Sequence, residues 1–119
     1  MARLMVVDDD EYVGLLSREE LEAEGHTVEL AKDAEGLVQR IGRTHPDLLV
    51  LDLGLGGSDG RDVLADLRDV FPDLPVVIWS GYDLSQAEAG LLSAAYVVKS
   101  FDLGPLKETI SKLLRQRPH

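Results

Sequence analysis

Three acids in a row, Asp8-Asp9-Asp10, follow a short apolar run, and Asp52 ends another; Ser80 and Lys99 end two more. Singly, each residue has an ordinary structural use. Acids that open a helix cap it and offset its dipole, and that is the reading preferred for Asp10 and Glu11. An Asp that ends an apolar strand is commonly a turn residue, and a single Ser or Lys says little. At the ends of four different strands they form one set: the carboxylates of Asp8, Asp9 and Asp52, the Ser80 hydroxyl and the Lys99 ammonium. Carboxylates packed within a few ångströms cannot all stay ionised without a cation. Hard oxygen donors without His or Cys suit Mg2+, or Mn2+, better than zinc. The three acids carry three negative charges, which one Mg2+ and Lys99 together balance. Converting the Asp52 carboxylate to an acyl phosphate adds about one further negative charge, a surplus to which Ser80 and Lys99 can respond.

Two alternating periodicities supply the elements that must position this set. Apolar runs at 4–7, 27–31, 48–53, 76–79 and 94–98 fit strands buried on both faces of a parallel sheet. Between and after them, helical patterns cover 11–24, 33–44, 61–70, 84–92 and 103–116. Val13, Leu16 and Leu21 share a face in the first, and Leu103, Leu106, Ile110, Leu113 and Leu114 in the last. Gly25 stands where a glycine ends a helix, Pro46 closes the second helix, and Asp33 and Asp102 are placed as N-caps. Five βα units predict a three-layer, doubly wound α/β sandwich of (βα)5 type with helices on both faces; strand order 2-1-3-4-5 is the expectation, though periodicity alone does not fix it. In such a sheet the crevice lies beyond the carboxyl ends of the strands, where the order reverses. Asp8, Asp52, Ser80 and Lys99 all belong to that rim.

The chain of 119 residues fits one domain, 1–119, with 115–119 read as a loose tail. Its apolar runs are far short of the ~20 residues that span a bilayer, and acids interrupt the N-terminus before a signal-peptide core could form. A cytoplasmic address is the expectation. There is no cysteine, which excludes disulfides and thiolate metal sites. With 22 acidic and 12 basic side chains the net charge is -10, a surface that repels nucleic acid and anionic membranes. Lys107, Lys112, Arg115 and Arg117 are read as a solvated helix face, and no direct nucleic-acid contact is expected. His26 and His45 fall in turns and His119 is terminal, so none is read as a phosphorelay histidine. Trp79 is read as a core aromatic under a helix, with a role in shaping the site as the alternative.

The segments Val6-Val7-Asp8-Asp9-Asp10-Glu11, Leu49-Val50-Leu51-Asp52-Leu53, Ser58-Asp59-Gly60, Val76-Val77-Ile78-Trp79-Ser80-Gly81 and Tyr96-Val97-Val98-Lys99, in this order, resemble the receiver domain of bacterial response regulators. That resemblance covers essentially the whole chain and implies a flavodoxin-like fold. It implies a two-component phosphorelay in which Asp52 takes a phosphoryl group from phosphohistidine or a small acyl phosphate. Metal ligands would be Asp8 (through water), Asp9, Asp52 and the backbone carbonyl of Gly54. Lys99 and Ser80 would contact phosphoryl oxygens, and Tyr96 would turn inward as Ser80 moves, changing the face of helix 4, strand 5 and helix 5. The implied partners are a sensor histidine kinase or phosphotransfer protein, and a downstream protein or linked output domain; dimerisation on activation is left open. Self-catalysed phosphorylation and dephosphorylation would be slow, as befits a switch rather than an enzyme.

Three departures accompany the resemblance. Ser100 replaces a usual proline, leaving open a trans Lys99–Ser100 peptide and a shifted Lys99. Gly56 replaces another proline, so the Gly54-Leu55-Gly56-Gly57 loop is expected to be mobile. The stretch from Ser80 to Lys99 is short, which implies a truncated helix 4. Two other functions compete. A Mg2+-dependent phosphohydrolase needs a second acid two residues past its nucleophile, where Gly54 stands. A docking module with vestigial acids would bind partners without being phosphorylated.

Overall fold

The computed structural model describes residues 2–55, 58–81 and 95–116. Five strands, β1 (Arg3–Val7), β2 (Thr27–Ala31), β3 (Leu48–Leu51), β4 (Val76–Ser80) and β5 (Ala95–Val98), form one sheet. All four pairings are parallel, in the order 2-1-3-4-5 expected from the sequence. The β1, β3 and β4 runs are apolar because both faces are covered: every residue from Leu4 to Val7, Leu48 to Leu51 and Val76 to Ser80 is buried.

Side-chain alternation divides the interior in two. Met5, Val7, Leu49, Leu51, Val76 and Ile78 pack with Leu37 and Ile41 of α2 (Leu37–Thr44) and Leu64 and Leu67 of α3 (Gly60–Val70). Leu4, Val6, Leu48, Val50, Val77, Trp79 and Val97 pack on the other face with Leu21 of α1 (Glu11–Ala23) and Leu103, Leu106 and Ile110 beside or within the C-terminal helix (Gly104–Gln116). The predicted fourth helix, 84–92, lies outside the described residues.

Local chemistry sets the helix ends. Asp10 has extended backbone and accepts the Val13 N–H at 3.2 Å, an N-cap for α1. Gly25, at φ 96°, follows the helix in the left-handed conformation that its lack of a Cβ permits, and its N–H reaches the Glu22 carbonyl at 2.9 Å. Asp102 accepts the Gly104 N–H at 2.9 Å and so satisfies a donor at the opening of the C-terminal helix. Two expectations are corrected. Asp33 does not cap α2: its carboxylate takes the Glu35 N–H in a local turn, and the helix starts later, after the left-handed Gly36. The C-terminal helix runs through Gln116, so Arg115 and Gln116, read as the start of a loose tail, are helical. Residues 117–119 lie outside the described set.

At the pole opposite the acids, His26 ties down the first strand. Its Nδ1 accepts the Ala2 N–H at 3.2 Å, which requires an unprotonated nitrogen there. Burial, then the nearby N-terminal charge, lowers its pKa below the usual 6.5. A group whose folded pKa is depressed contributes stability above its unfolded value and loses it as pH falls through the folded one. Wild-type protein is therefore expected to lose more melting temperature than His26→Asn between about pH 7.5 and about pH 5. Parallel melting curves across that range would show that His26 is not involved.

Candidate functional site

Asp8 and Asp52 are fixed by the same local device. Each follows its strand by one residue, and its backbone N–H continues the sheet ladder: Asp8 to the Ala31 carbonyl at 2.9 Å, Asp52 to the Val7 carbonyl at 3.0 Å. In each, Oδ1 accepts the N–H two residues further on, from Asp10 at 2.9 Å and from Gly54 at 3.1 Å. That turn geometry leaves Oδ2 of both acids facing inward along the rim. Lys99 is anchored likewise, its N–H reaching the Ser80 carbonyl at 3.0 Å.

The Lys99 ammonium bridges the two acids, 2.6 Å from Asp8 Oδ2 and 3.2 Å from Asp52 Oδ2. Asp9 completes the group: one carboxylate oxygen from each of Asp8, Asp9 and Asp52 lies within 4.8 Å of the others. Asp8 and Asp52 are only 5% and 7% exposed, whereas Asp9 is open to solvent. An ion reaching Asp9 from water would thus meet two sheltered, pre-oriented carboxylates.

Burial acts unequally on the pair. It pushes the Asp8 carboxyl above its usual range, and the hydrogen bonds from Lys99 and Asp10 only partly offset it, because Asp8 shares its one ammonium with Asp52. Burial pulls Lys99 down, but Asp8 and then Asp52 outweigh it and hold the ammonium above its ordinary value. The cluster therefore keeps its lysine charged. Asp8 and Asp52 share that ammonium, and a third carboxylate lies close by, a concentration of negative charge that a divalent cation would offset. The donors are carboxylate oxygens, with no imidazole or thiolate in the cluster, so the residues fit Mg2+ or a similarly hard ion.

The other expected residues sit on the same strands. Ser80, fully buried, ends β4, and Tyr96, partly buried, is paired with Ile78. Tyr96 packs against the α2–α3 cluster, on the same face as Ile78 and so on the side that alternation gives Ser80. Gly54 donates to Asp52, and the Lys99–Ser100 peptide is trans, with Lys99 nevertheless in the site. Gly56 and Gly57, and with them the expected loop mobility, fall outside the described residues, as does the shortened stretch at 82–94. Trp79 is in the core, 2% exposed, but its ring also lies 5.2 Å from the Lys99 ammonium. Sequence pattern ranked the core role first because the contact arises between two strands.

The response regulator receiver domain family matches residues 4–111. The response regulator MprA of Mycobacterium leprae (strain TN) is 38% identical over 117 residues, covering 96% of this chain and 51% of that protein. The chain spans about half the length of the curated relatives it matches. Among solved structures, the response regulator TrrA of Thermotoga maritima in complex with Mg(2+)-BeF is similar with a TM-score of 0.86 and 32% identity, over 95% of this chain and 99% of that one. The BeF3-activated N-terminal receiver domain of Klebsiella pneumoniae RstA gives a TM-score of 0.84 and 29% identity, over 96% and 99%. The family match runs from the first strand into the last helix and contains every residue of the acid–lysine cluster, and the chain belongs to the response regulator receiver domain family.

Proposed function

We propose that Asp52 accepts a phosphoryl group from the phosphohistidine of a sensor kinase or phosphotransfer protein, or from a small acyl phosphate. The observation that carries this reading is the Lys99 ammonium shared between Asp8 and Asp52, with Asp9 in the same cluster. Asp8, Asp9 and Asp52, with the Gly54 carbonyl, would hold Mg2+, or Mn2+ in its place. Bound there, the ion would neutralise phosphoryl oxygens and lower repulsion between the incoming anion and the acids. A carboxylate oxygen of Asp52 forms the new O–P bond as the donor's P–N bond breaks, and the electron pair leaves with the imidazole, which takes up a proton. Lys99 is already beside Asp52 and follows the charge onto the phosphoryl oxygens.

Ser80 and Tyr96 would then transmit the change. The register pairs Ile78 with Tyr96 and Ser80 with Val98, so Ser80 and Tyr96 are diagonal neighbours on one face of the sheet. Ser80 moving toward the phosphoryl group would free space for the Tyr96 ring and alter the surface around β5 and the C-terminal helix. A separate protein or a covalently linked output domain would read that surface, consistent with relatives about twice as long. Gly54 stands where a phosphohydrolase would need a general acid, which favours a slow-resetting switch over a turnover enzyme. An oriented acid–lysine cluster likewise favours phosphorylation over a docking module with vestigial acids.

Incubation with Mg2+ and acetyl phosphate is expected to add one HPO3 unit to the intact mass and to change the fluorescence of Trp79, the one tryptophan. Both responses should vanish in Asp52→Asn; a mass gain that persists there would exclude Asp52 as the acceptor. In metal-free protein, Asp9→Asn should raise the melting temperature. Unit charges ~4 Å apart repel by about 1 kcal/mol even in a water-like dielectric, which corresponds to roughly 4 °C. A drop would instead reveal a structural hydrogen bond that Asn cannot replace.

A further inference from the structure

We propose that Trp79 is a positioning residue for Lys99, its indole face serving as the third partner of the ammonium beside Asp8 and Asp52. The ring centroid lies 5.2 Å from Nζ, within the range over which an ammonium is drawn to an aromatic face. Sheet register brings this about. Trp79 is paired with Val97, and Lys99, two residues further along, points to the same face. Such diagonal cross-strand neighbours come within reach when one is aromatic and the other long.

The two partners differ in freedom. Trp79 is 2% exposed and packed among Val97, Leu103 and Leu106, so its ring is a fixed platform. Lys99 has a flexible stem, and Ser100 after it imposes none of the backbone restriction that a proline would. What fixes the ammonium is therefore what it touches. Asp8 and Asp52 hold it, but a divalent cation on those acids would take up their oxygens and repel the ammonium. The indole carries no net charge and no metal competes for it. It is the contact that remains, and it keeps Nζ close to Asp52 while the phosphoryl group arrives.

Only this last consequence rests on Asp52 being the phosphoacceptor, so the contact and its effect on transfer are tested separately. In metal-free protein, a double-mutant cycle of Trp79→Leu and Lys99→Met in denaturant unfolding should show favourable coupling, and Lys99→Met alone should alter the Trp79 emission. Absence of coupling overturns the contact. At saturating Mg2+, the rate of Asp52 phosphorylation by acetyl phosphate should fall about fivefold in Trp79→Leu and recover to within about twofold in Trp79→Phe, which restores an aromatic face. Equal rates in wild type and Trp79→Leu, or a Trp79→Phe rate as low as that of Trp79→Leu, overturn the positioning role. Trp79→Met replaces Trp79→Leu if the latter does not fold. Coupling in the metal-free cycle together with a wild type that takes no phosphoryl group would sink the phosphoacceptor reading and leave the Trp79–Lys99 contact standing.

Discussion

The Lys99 ammonium stands between the carboxylates of Asp8 and Asp52, with Asp9 in the same cluster, and the rest of the rim depends on that concentration of charge. Two of the acids are almost fully sheltered, so water relieves their repulsion only weakly. Such a cluster is suited to a hard divalent cation. Under the proposed phosphorylation of Asp52, the lysine that bridges the acids would follow negative charge onto the phosphoryl group.

Holding like charges together requires a frame that they cannot push apart. The parallel sheet supplies it. Ladder hydrogen bonds extend one residue beyond β1, β3 and β5, to Asp8, Asp52 and Lys99, so each backbone is locked to its neighbouring strand where its side chain turns into the crevice. The Oδ1 turns of Asp8 and Asp52 then fix the remaining rotation of each carboxylate. Below the rim, two apolar layers cover both faces of the sheet, and the burial of Leu4, Met5, Leu48 and Leu49 anchors strands that end in charge. If Asp52 is phosphorylated as proposed, rigidity in those layers would let a change of about one charge there become a change of shape elsewhere.

The two faces divide the labour. Lys99 lies on the side of Trp79, Val97 and the C-terminal helix, while alternation gives Ser80 and Tyr96 to the side of α2 and α3. In the proposed switch, charge handling and its transmission would thus be carried by opposite faces of the same pair of strands, β4 and β5. The ammonium can be held against the indole without obstructing the space in which Tyr96 would turn.

Sequence alone determined the strand ends and what they carry. Asp8, Asp52, Ser80 and Lys99 each follow or close an apolar run, and short runs alternating with helical periodicity allow little besides a doubly wound sheet with one crevice. It also fixed the caps at Asp10 and Gly25, because those effects reach only two or three residues along the chain. It placed the end of the C-terminal helix at 116, where the helix ends, but started α2 at 33, whereas the helix begins after the left-handed Gly36, a boundary that the apolar pattern does not mark. Tertiary structure alone decided which oxygens of Asp8 and Asp52 meet the ammonium, that Lys99 stays in the site with Ser100 behind it, and that the Trp79 ring lies beside it. These are contacts between strands, set by register and side-chain direction. A linear pattern records which residues a strand offers; only neighbouring strands, brought to a fixed stagger by their hydrogen bonds, determine which of those residues touch.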